Sequence, residues 1–520
     1  MGSHVSETNR LTFRETDEAG NPTATYIYSG GVASITSTPT GRVDVIFQIW
    51  SSSCGLASIP VVLSASPSTS SWSAKPLFSS LSDVFLPSGY PQSVSDDYLP
   101  YQIFDSLQAF CSSIAGLLSS RAVLQGVGVG NANASPTSAL LLHILQDISG
   151  RIATICFAHR VGTALEPECK TYRLAADVFN DIAMILDCLS PGVPAGPPRV
   201  IVLSTAGVLR ALCGVAGGSS KASLSAHFAK WGNLAELNAK DSSQETVISL
   251  FGMLVGSVVI SHITSFTTTW LLLLILLALH LSMNYAAVRA VQMTSLNRQR
   301  ANIVFSALLD SDSSLALALD PNHNVDPTAT TTPEKKNTLL TLTPAQVAQH
   351  ERIFHRDGAL QWTQHTTTQH LGSAQIGVSM STFLGNSGSG RTFPRTLPLP
   401  QLVTVFADEY YLLFLAPGGN PNSNTNVTKW HASILLKPGC AVEHQLKAWA
   451  HALLAARVLA LVGISTESSS ADAVLAVVEK TLGLLNADAR FQGYMMALRG
   501  VGWDVGIAAL ETRGGRRIDI

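Results

Sequence analysis

The chain has 520 residues, of which only 13% are charged, with a formal net charge of −2 and a mean hydropathy of +0.25. That balance excludes the basic stripe a nucleic-acid partner needs. So little charge, against roughly 25% in soluble domains, points to a membrane protein or a very apolar interior. Seven cysteines, none in a CxxC pair, read as reduced thiols of an intracellular protein.

Residues 1–21 carry Glu7, Glu15, Asp17 and Glu18 and no apolar core. This is not the pattern of a secretory signal or organelle presequence, so insertion is expected to use internal segments. Within a short β-rich segment, 1–50, "ATYIYS" from Ala24 and "RVDVIFQIW" from Arg42 read as strands. Residues 51–82 turn to Ser and Pro, a linker composition. A helical core follows over 83–309, then a polar linker over 310–340. In 341–520, "LVTVFADEYYLLFLA" and "KWHASILLK" read as a strand pair around the turn-rich "PGGNPNSNTNV". "AVEHQLKAWAHALLAARVLALV" and "SADAVLAVVEKTLGLL" read as helices, and "GWDVGIAALE" as a last strand. The expected fold class is mainly α: a multi-helix membrane-associated bundle with a smaller C-terminal α+β domain.

Val247–Ile263 and Phe266–Met283 are uncharged runs, each near the short end of the roughly 17–25 residues that span a bilayer. Lys221, Lys230 and Lys240 precede them, and Arg289, Arg298 and Arg300 follow. The turn between has no Lys or Arg. This is the pattern of a helical hairpin with both ends on the cytoplasm-like side; a buried helix pair in a soluble core is the alternative. Ahead of the first run, Ser242 and Glu245 stand at S-x-x-E capping-box spacing, which predicts a helix start there.

The remaining apolar helices, Ser106–Leu118, Ala139–Ala158, Leu174–Leu189 and Val200–Val215, carry Asp147, Arg151, Asp177, Asp181, Asp187 and Arg210, and leave the number of spans open. Asp147 and Arg151 are spaced i, i+4, the acid first, so one helix face holds both. Asp177 and Asp181 repeat the spacing, with Asn180 beside them and Arg173 one turn earlier. Two carboxylates on one face repel unless a cation, a proton or an arginine intervenes. Within a bilayer such residues mark a polar pathway or ligand pocket; a salt-bridge network between packed helices stands beside that reading. Asp147, Arg151, Arg173, Asp177, Asn180 and Asp181 are thus the candidate intramembrane cluster. Lys240, Asp241, Gln244, Glu245, Asn284 and Arg289 form a second candidate, at the membrane boundary.

Other motifs fail. "GVGVGN" at Gly126 has Asn131 where GxGxxG needs a glycine, and reads as a break between two helices. "GVAGGSSK" at Gly214 misses the phosphate-loop spacing, leaving only an anion contact at the start of a next helix. "HERIFH", His350 to His355, has one residue too many for HExxH, so no metal site is expected.

Several stretches, in order, resemble one family: "FLPSGYPQSVSDDYLPYQIFDSLQAF", "GVGVG", "QDISGRIATICFA", "YRLAADVFNDIAMILD", "GVAGGSSKASL", "AKDSSQET" and "NYAAVRAVQMTSLNRQR". They are similar to the root UVB sensitive (RUS) family, also described as a vitamin B6 photoprotection and homeostasis domain. The close match runs from Phe85 to Val304, with a looser one through "ERIF", "YYLLF", "LKAWAHA" and the final "GWD". Matching positions include Pro87, Gly89, Tyr90, Pro91, Tyr98, Pro100, Tyr101, Asp105, Asp147, Arg151, Arg173, Asp177, Asn180, Asp181, Lys240, Asp241, Gln244, Glu245, Asn284, Arg289, Asn297 and Arg300.

The resemblance implies a helical, membrane-associated protein with no assigned catalytic residues. Plant members are linked to ultraviolet-B sensitivity, seedling development and vitamin B6 homeostasis, some in complex with a paralogue and some in plastids. The expected function is that of a non-enzymatic, multi-pass protein of an intracellular membrane. It would act as a membrane or assembly factor, alone or as an oligomer with a related family member. Two alternatives are a transporter or channel for a small polar solute, and a pyridoxal-phosphate-binding protein using Lys221 or Lys240.

Overall fold

The computed structural model describes the chain from residue 84 onward, except 127, 129–135, 264, 320–338, 365–366, 385–398, 418–428, 463–470, 514–515 and 520. Before residue 84 it describes the backbone of four strands. The segments read as linkers, 51–82 and most of 310–340, lie outside the described residues. The chain forms two compact units: residues 1–99 with 225–254, and residues 100–224 with 255–520.

In the first unit, β1 (Leu11–Thr16), β2 (Pro22–Ser29), β3 (Val32–Ser37) and β4 (Val45–Gln48) form an antiparallel meander in that order. β2 contains "ATYIYS" and β4 lies inside "RVDVIFQIW". Residues 84–97 are tied to 227–244. Ser95 N–H donates to Phe228 O at 3.0 Å and Lys230 N–H to Ser93 O at 3.1 Å. His227 Nε2 meets Asp97 Oδ2 at 2.9 Å, and Tyr98 packs edge-on to Phe228.

Six long helices follow: α1 (Tyr98–Gly126), α2 (Pro136–Val161), α3 (Cys169–Leu189), α4 (Pro197–Phe228), α5 (Leu234–His262) and α6 (Phe266–Ala290). Two expected features change. α5 starts at Leu234, so Ser242 and Glu245 lie inside the helix and do not cap it. "GVAGGSSK" lies within the unbroken α4, so no helix starts there to meet an anion. α5 passes close to α1: a Cβ on Gly256 would stand 2.8 Å from Leu117 Cδ1, at the free end of that side chain. The Arg121 guanidinium donates to Ile263 O at 2.7 Å, satisfying a carbonyl past the end of α5.

The C-terminal part of the second unit holds α7 (Arg298–Ser311), α8 (Ser313–Leu319), α9 (Pro344–His350), β5 (Ala359–Gln364), β6 (Thr367–Ile376), α10 (Met380–Phe383), α11 (Leu399–Val405), β7 (Tyr411–Pro417), β8 (Trp430–Leu436), α12 (Val442–Val462), α13 (Ala471–Asn486) and α14 (Arg490–Gly500). Its mixed sheet runs β5-β6-β8-β7, with β6 and β8 parallel. β7 and β8 are the expected pair, but "LVTVF" folds as helix α11 rather than as part of the strand. "GWDVGIAALE" adds no strand: its backbone makes one bridge, Ser295 to Asp504, and Trp503 Nε1 donates to Leu342 O. α12 shares with the sheet a core that includes Trp430, Tyr411, Phe305 and Trp449. The described residues are thus mostly helical with a small mixed sheet, and Cys111, Cys156, Cys169, Cys188, Cys213 and Cys440 are free thiols.

Candidate functional site

Lys170, Arg173, Asp177 and Asp181 recur at three- and four-residue spacing, so a helix carries them on one face. In α3 that face is buried. A buried guanidinium needs acceptors matched to its fork. Arg173 has them: Nη2 donates to Asp105 Oδ1 at 2.7 Å, Nη1 to Asp177 Oδ1 at 3.0 Å, and Nε to Tyr101 Oη at 3.4 Å. Gln108 Nε2 donates to the same Asp105 oxygen at 3.1 Å. From α6, Asn284 Nδ2 donates to Asp177 Oδ2. His280, one turn earlier, puts Nδ1 at 2.7 Å from Asp181 Oδ1 and Nε2 at 3.6 Å from Asp177 Oδ2. The row continues at Asp187, which accepts from Ser119 Oγ at 2.8 Å and from Arg210.

The structure brings Arg173, Asp177 and Asp181 together. Asp147 and Arg151 form their i, i+4 pair at 2.8 Å, but on an exposed face of α2, apart from the cluster. Asn180 turns aside to Ser112 at 3.5 Å. Tyr101, Asp105, Gln108 and His280 complete the cluster and lie outside the candidate set. Of these, His280 left a signal, a lone imidazole in a leucine-rich run.

The boundary residues take separate roles. On α5, Lys240 Nζ donates to Val84 O at 3.1 Å and Gln244 Nε2 to Phe85 O at 2.5 Å. Asp241 is buried. Asn284 belongs instead to the carboxylate cluster. Arg289 clasps the end of α9, donating to Glu351 O at 2.5 Å and Gln349 O at 3.0 Å.

A second charged cluster lies where α3, α7 and the segment after α9 meet. Lys170 Nζ contacts Glu351 Oε2 and Val291 O, both at 2.6 Å. Arg300 Nε stands 3.4 Å from Glu351 Oε1. Asn297 caps α7 with Oδ1 and donates through Nδ2 to Glu168 Oε2 at 3.2 Å. Arg298 reaches Asp357 Oδ1 at 2.6 Å and Leu510 O at 2.7 Å. Arg298 and Arg300, read from sequence as flanking charges, are thus buried ion-pair partners. "HERIFH" supplies Glu351 to this cluster, and His355 Nε2 lies 3.9 Å from Glu168 Oε2. No group of three His, Cys, Asp or Glu suited to a metal ion occurs among the described residues.

Burial opposes charge on Glu351, but Arg300 and Lys170 hold its carboxyl below the usual range. Glu168 goes the other way. Burial pushes its carboxyl up to about 7, against the pull of Arg300. Between its ordinary value of 4.5 and about 7, the folded chain holds a proton that the unfolded chain has released. The stability this gives is full below the lower value and is lost as pH rises through the upper one. The expected contribution is up to about 3 kcal/mol. Glu168→Gln should flatten that part of the curve of melting temperature against pH; an unchanged slope would remove Glu168 from this role.

Long apolar helices around ionised groups, joined to a small mixed-sheet part, define a class of helical protein with a charged interior. Residues 71–312 match a family model described as "Vitamin B6 photo-protection and homoeostasis domain". The chain is 45% identical over 239 residues to RUS family member 1 of Dictyostelium discoideum, covering 45% of each chain. It is 35% identical over 229 residues to Protein root UVB sensitive 3 of Arabidopsis thaliana, covering 44% of this chain and 51% of that one. It is 29% identical over 229 residues to Protein root UVB sensitive 2, chloroplastic, of the same plant, covering 43% and 51%. Residues 71–312 are therefore similar to the domain these root UVB sensitive proteins share, and the chain spans about half the length of the curated relatives it matches. No solved structure matches the chain.

Proposed function

We propose that the chain is a multi-pass integral protein of an intracellular membrane, a RUS-family membrane or assembly factor in vitamin B6 homeostasis or the ultraviolet-B response. The observation that carries the membrane reading is inverted burial. Ile155 of α2 is 69% exposed, Ile201 of α4 66%, Phe251 of α5 58% and Leu271 of α6 61%, while Arg173, Asp177 and Asp181 are buried. A soluble fold does the opposite. Lipid makes this arrangement favourable, because hydrocarbon solvates the apolar faces and the charges pair inside.

α1, α2, α4, α5 and α6 contain candidate spans by length and apolarity. α12 passes the same criterion, but it is mostly buried and shares the core of the mixed sheet. The sixth span is α3, whose charges hide its length: 21 residues, about 30 Å at 1.5 Å per residue. Its contacts fit an alternating six-helix order. Lys170 at its start bonds to Val291, just past α6, and Asp187 near its other end bonds to Ser119 late in α1.

The Asp147–Arg151 pair is the feature lipid does not suit. A second chain covering α2, a copy or a related family member, would give that pair a polar environment and supports an oligomer. Six spans put the C-terminal part on the side of Arg289, at the positive end of α6. After alkaline carbonate extraction the full chain should stay in the membrane pellet; release to the supernatant sinks the reading. Asn426, in the sequon Asn-Val-Thr, should remain unglycosylated in microsomes, and its glycosylation would invert the orientation.

A further inference from the structure

The imidazole of His280 has a carboxylate at each nitrogen, Asp181 at 2.7 Å and Asp177 at 3.6 Å. Neutral imidazole carries one N–H and one lone pair, so one nitrogen would face a carboxylate lone pair to lone pair. The imidazolium donates to Asp181 through Nδ1 and sets its charge 3.6 Å from Asp177 Oδ2. With it in place, Asp105, Asp177 and Asp181 still outnumber Arg173 and His280 by one negative charge.

A second, independent observation points the same way. Asn284 is 0% exposed, its Nδ2 is on Asp177, and its Oδ1 has no donor. Asp181 Oδ2 and Gln108 Oε1, on residues 3% and 6% exposed, also lack one. Every unsatisfied atom in the cluster is an acceptor, which is the signature of a missing positive charge or proton. The groups facing the site are Tyr101, Asp105 and Gln108 from α1, Arg173 from α3 and Asn284 from α6.

We propose that Asp177, His280 and Asp181 form a proton-binding site that holds one proton on the imidazole and exchanges a second at Asp181. Uptake converts the Asp181 carboxylate and a proton from water into the neutral acid; release reverses it, with no other bond made or broken. The neutral acid cancels the surplus charge and supplies a donor where Oδ2 had none. The site rests on the membrane reading in one respect: lipid around the bundle is what denies these groups a water shell.

Infrared spectroscopy of the full chain in lipid nanodiscs tests this. At neutral pH a protonated-carboxyl C=O band should appear, shift in heavy water, and vanish in alkali. Asp181→Asn should lose the band, and Asp147→Asn, on the exposed face of α2, should keep it. His280→Gln removes one positive charge, so it should raise the band about twofold if Asp177 then protonates as well; this arm serves even where Asp181→Asn fails to accumulate. No band in the unmodified protein overturns the proposal. So does a band that answers to sodium or potassium rather than to pH, which would assign the site to an alkali cation. Protein that leaves the membrane in carbonate, yet shows the band once purified, sinks the membrane reading and leaves the proton site standing.

Discussion

Replacing Arg173 by alanine is expected to prevent the protein from accumulating in its folded form. Arg173 is 7% exposed and its guanidinium is divided between Asp105, Asp177 and Tyr101. Truncation leaves two buried carboxylates without their cation, a loss of about 3–5 kcal/mol, set against a total stability of about 5–15 kcal/mol for an ordinary domain. Arg173→Lys keeps the charge but loses the fork that reaches two acids at once, so it should fall between the parent and alanine. Arg151→Ala, at the exposed pair on α2, should cost under about 1 kcal/mol in detergent. Melting temperature of the detergent-solubilised chain, followed by its elution on gel filtration, separates these outcomes. An Arg173→Ala protein that melts with the parent would show that the cluster carries no stability.

The contrast between Arg173 and Arg151 also shows what was legible in the sequence. Both sit four residues from an aspartate in an apolar helix. Spacing puts each pair on one face, but which face turns inward depends on the neighbouring helices, and only the α3 face meets α1 and α6. His280 was hidden for the same reason, since its partners lie 99 and 103 residues earlier in the chain. "DSSQE" satisfied capping-box spacing, yet the helix gains two more turns upstream because nothing in "LAELNAK" breaks it. β5 and β6 escaped notice because "ALQWTQ" and "TTQHLGSAQI" are polar and do not alternate cleanly. The apolar "LVTVF" suggested a strand but became a helix, since short apolar runs do not distinguish the two. The helical core itself was readable from long uncharged runs, the strongest kind of local signal.

Lys170→Met should cost nearly as much as the loss of Arg173, and it should act on a different part of the second unit. Lys170 belongs to α3, whereas Glu351 follows α9, so their 2.6 Å contact ties the helical core to the mixed-sheet part. Both side chains are 5% exposed. Without the ammonium, Glu351 is left with the longer contact from Arg300 at 3.4 Å, and Val291 O loses this donor. An uncompensated buried charge of this kind costs about 3–5 kcal/mol. Glu351→Gln removes the charge from the other side and leaves Lys170 and Arg300 facing an amide. If the pair is the tie, the double variant should be milder than the sum of the singles by more than about 1 kcal/mol, because removing both charges abolishes the unpaired-ion penalty each single change creates. Limited proteolysis in detergent gives the second readout: each single variant should release the C-terminal part sooner than the parent, and the double variant at an intermediate rate. Additive losses in the cycle, with unchanged cleavage, would mean that the two parts are held together by apolar contact alone.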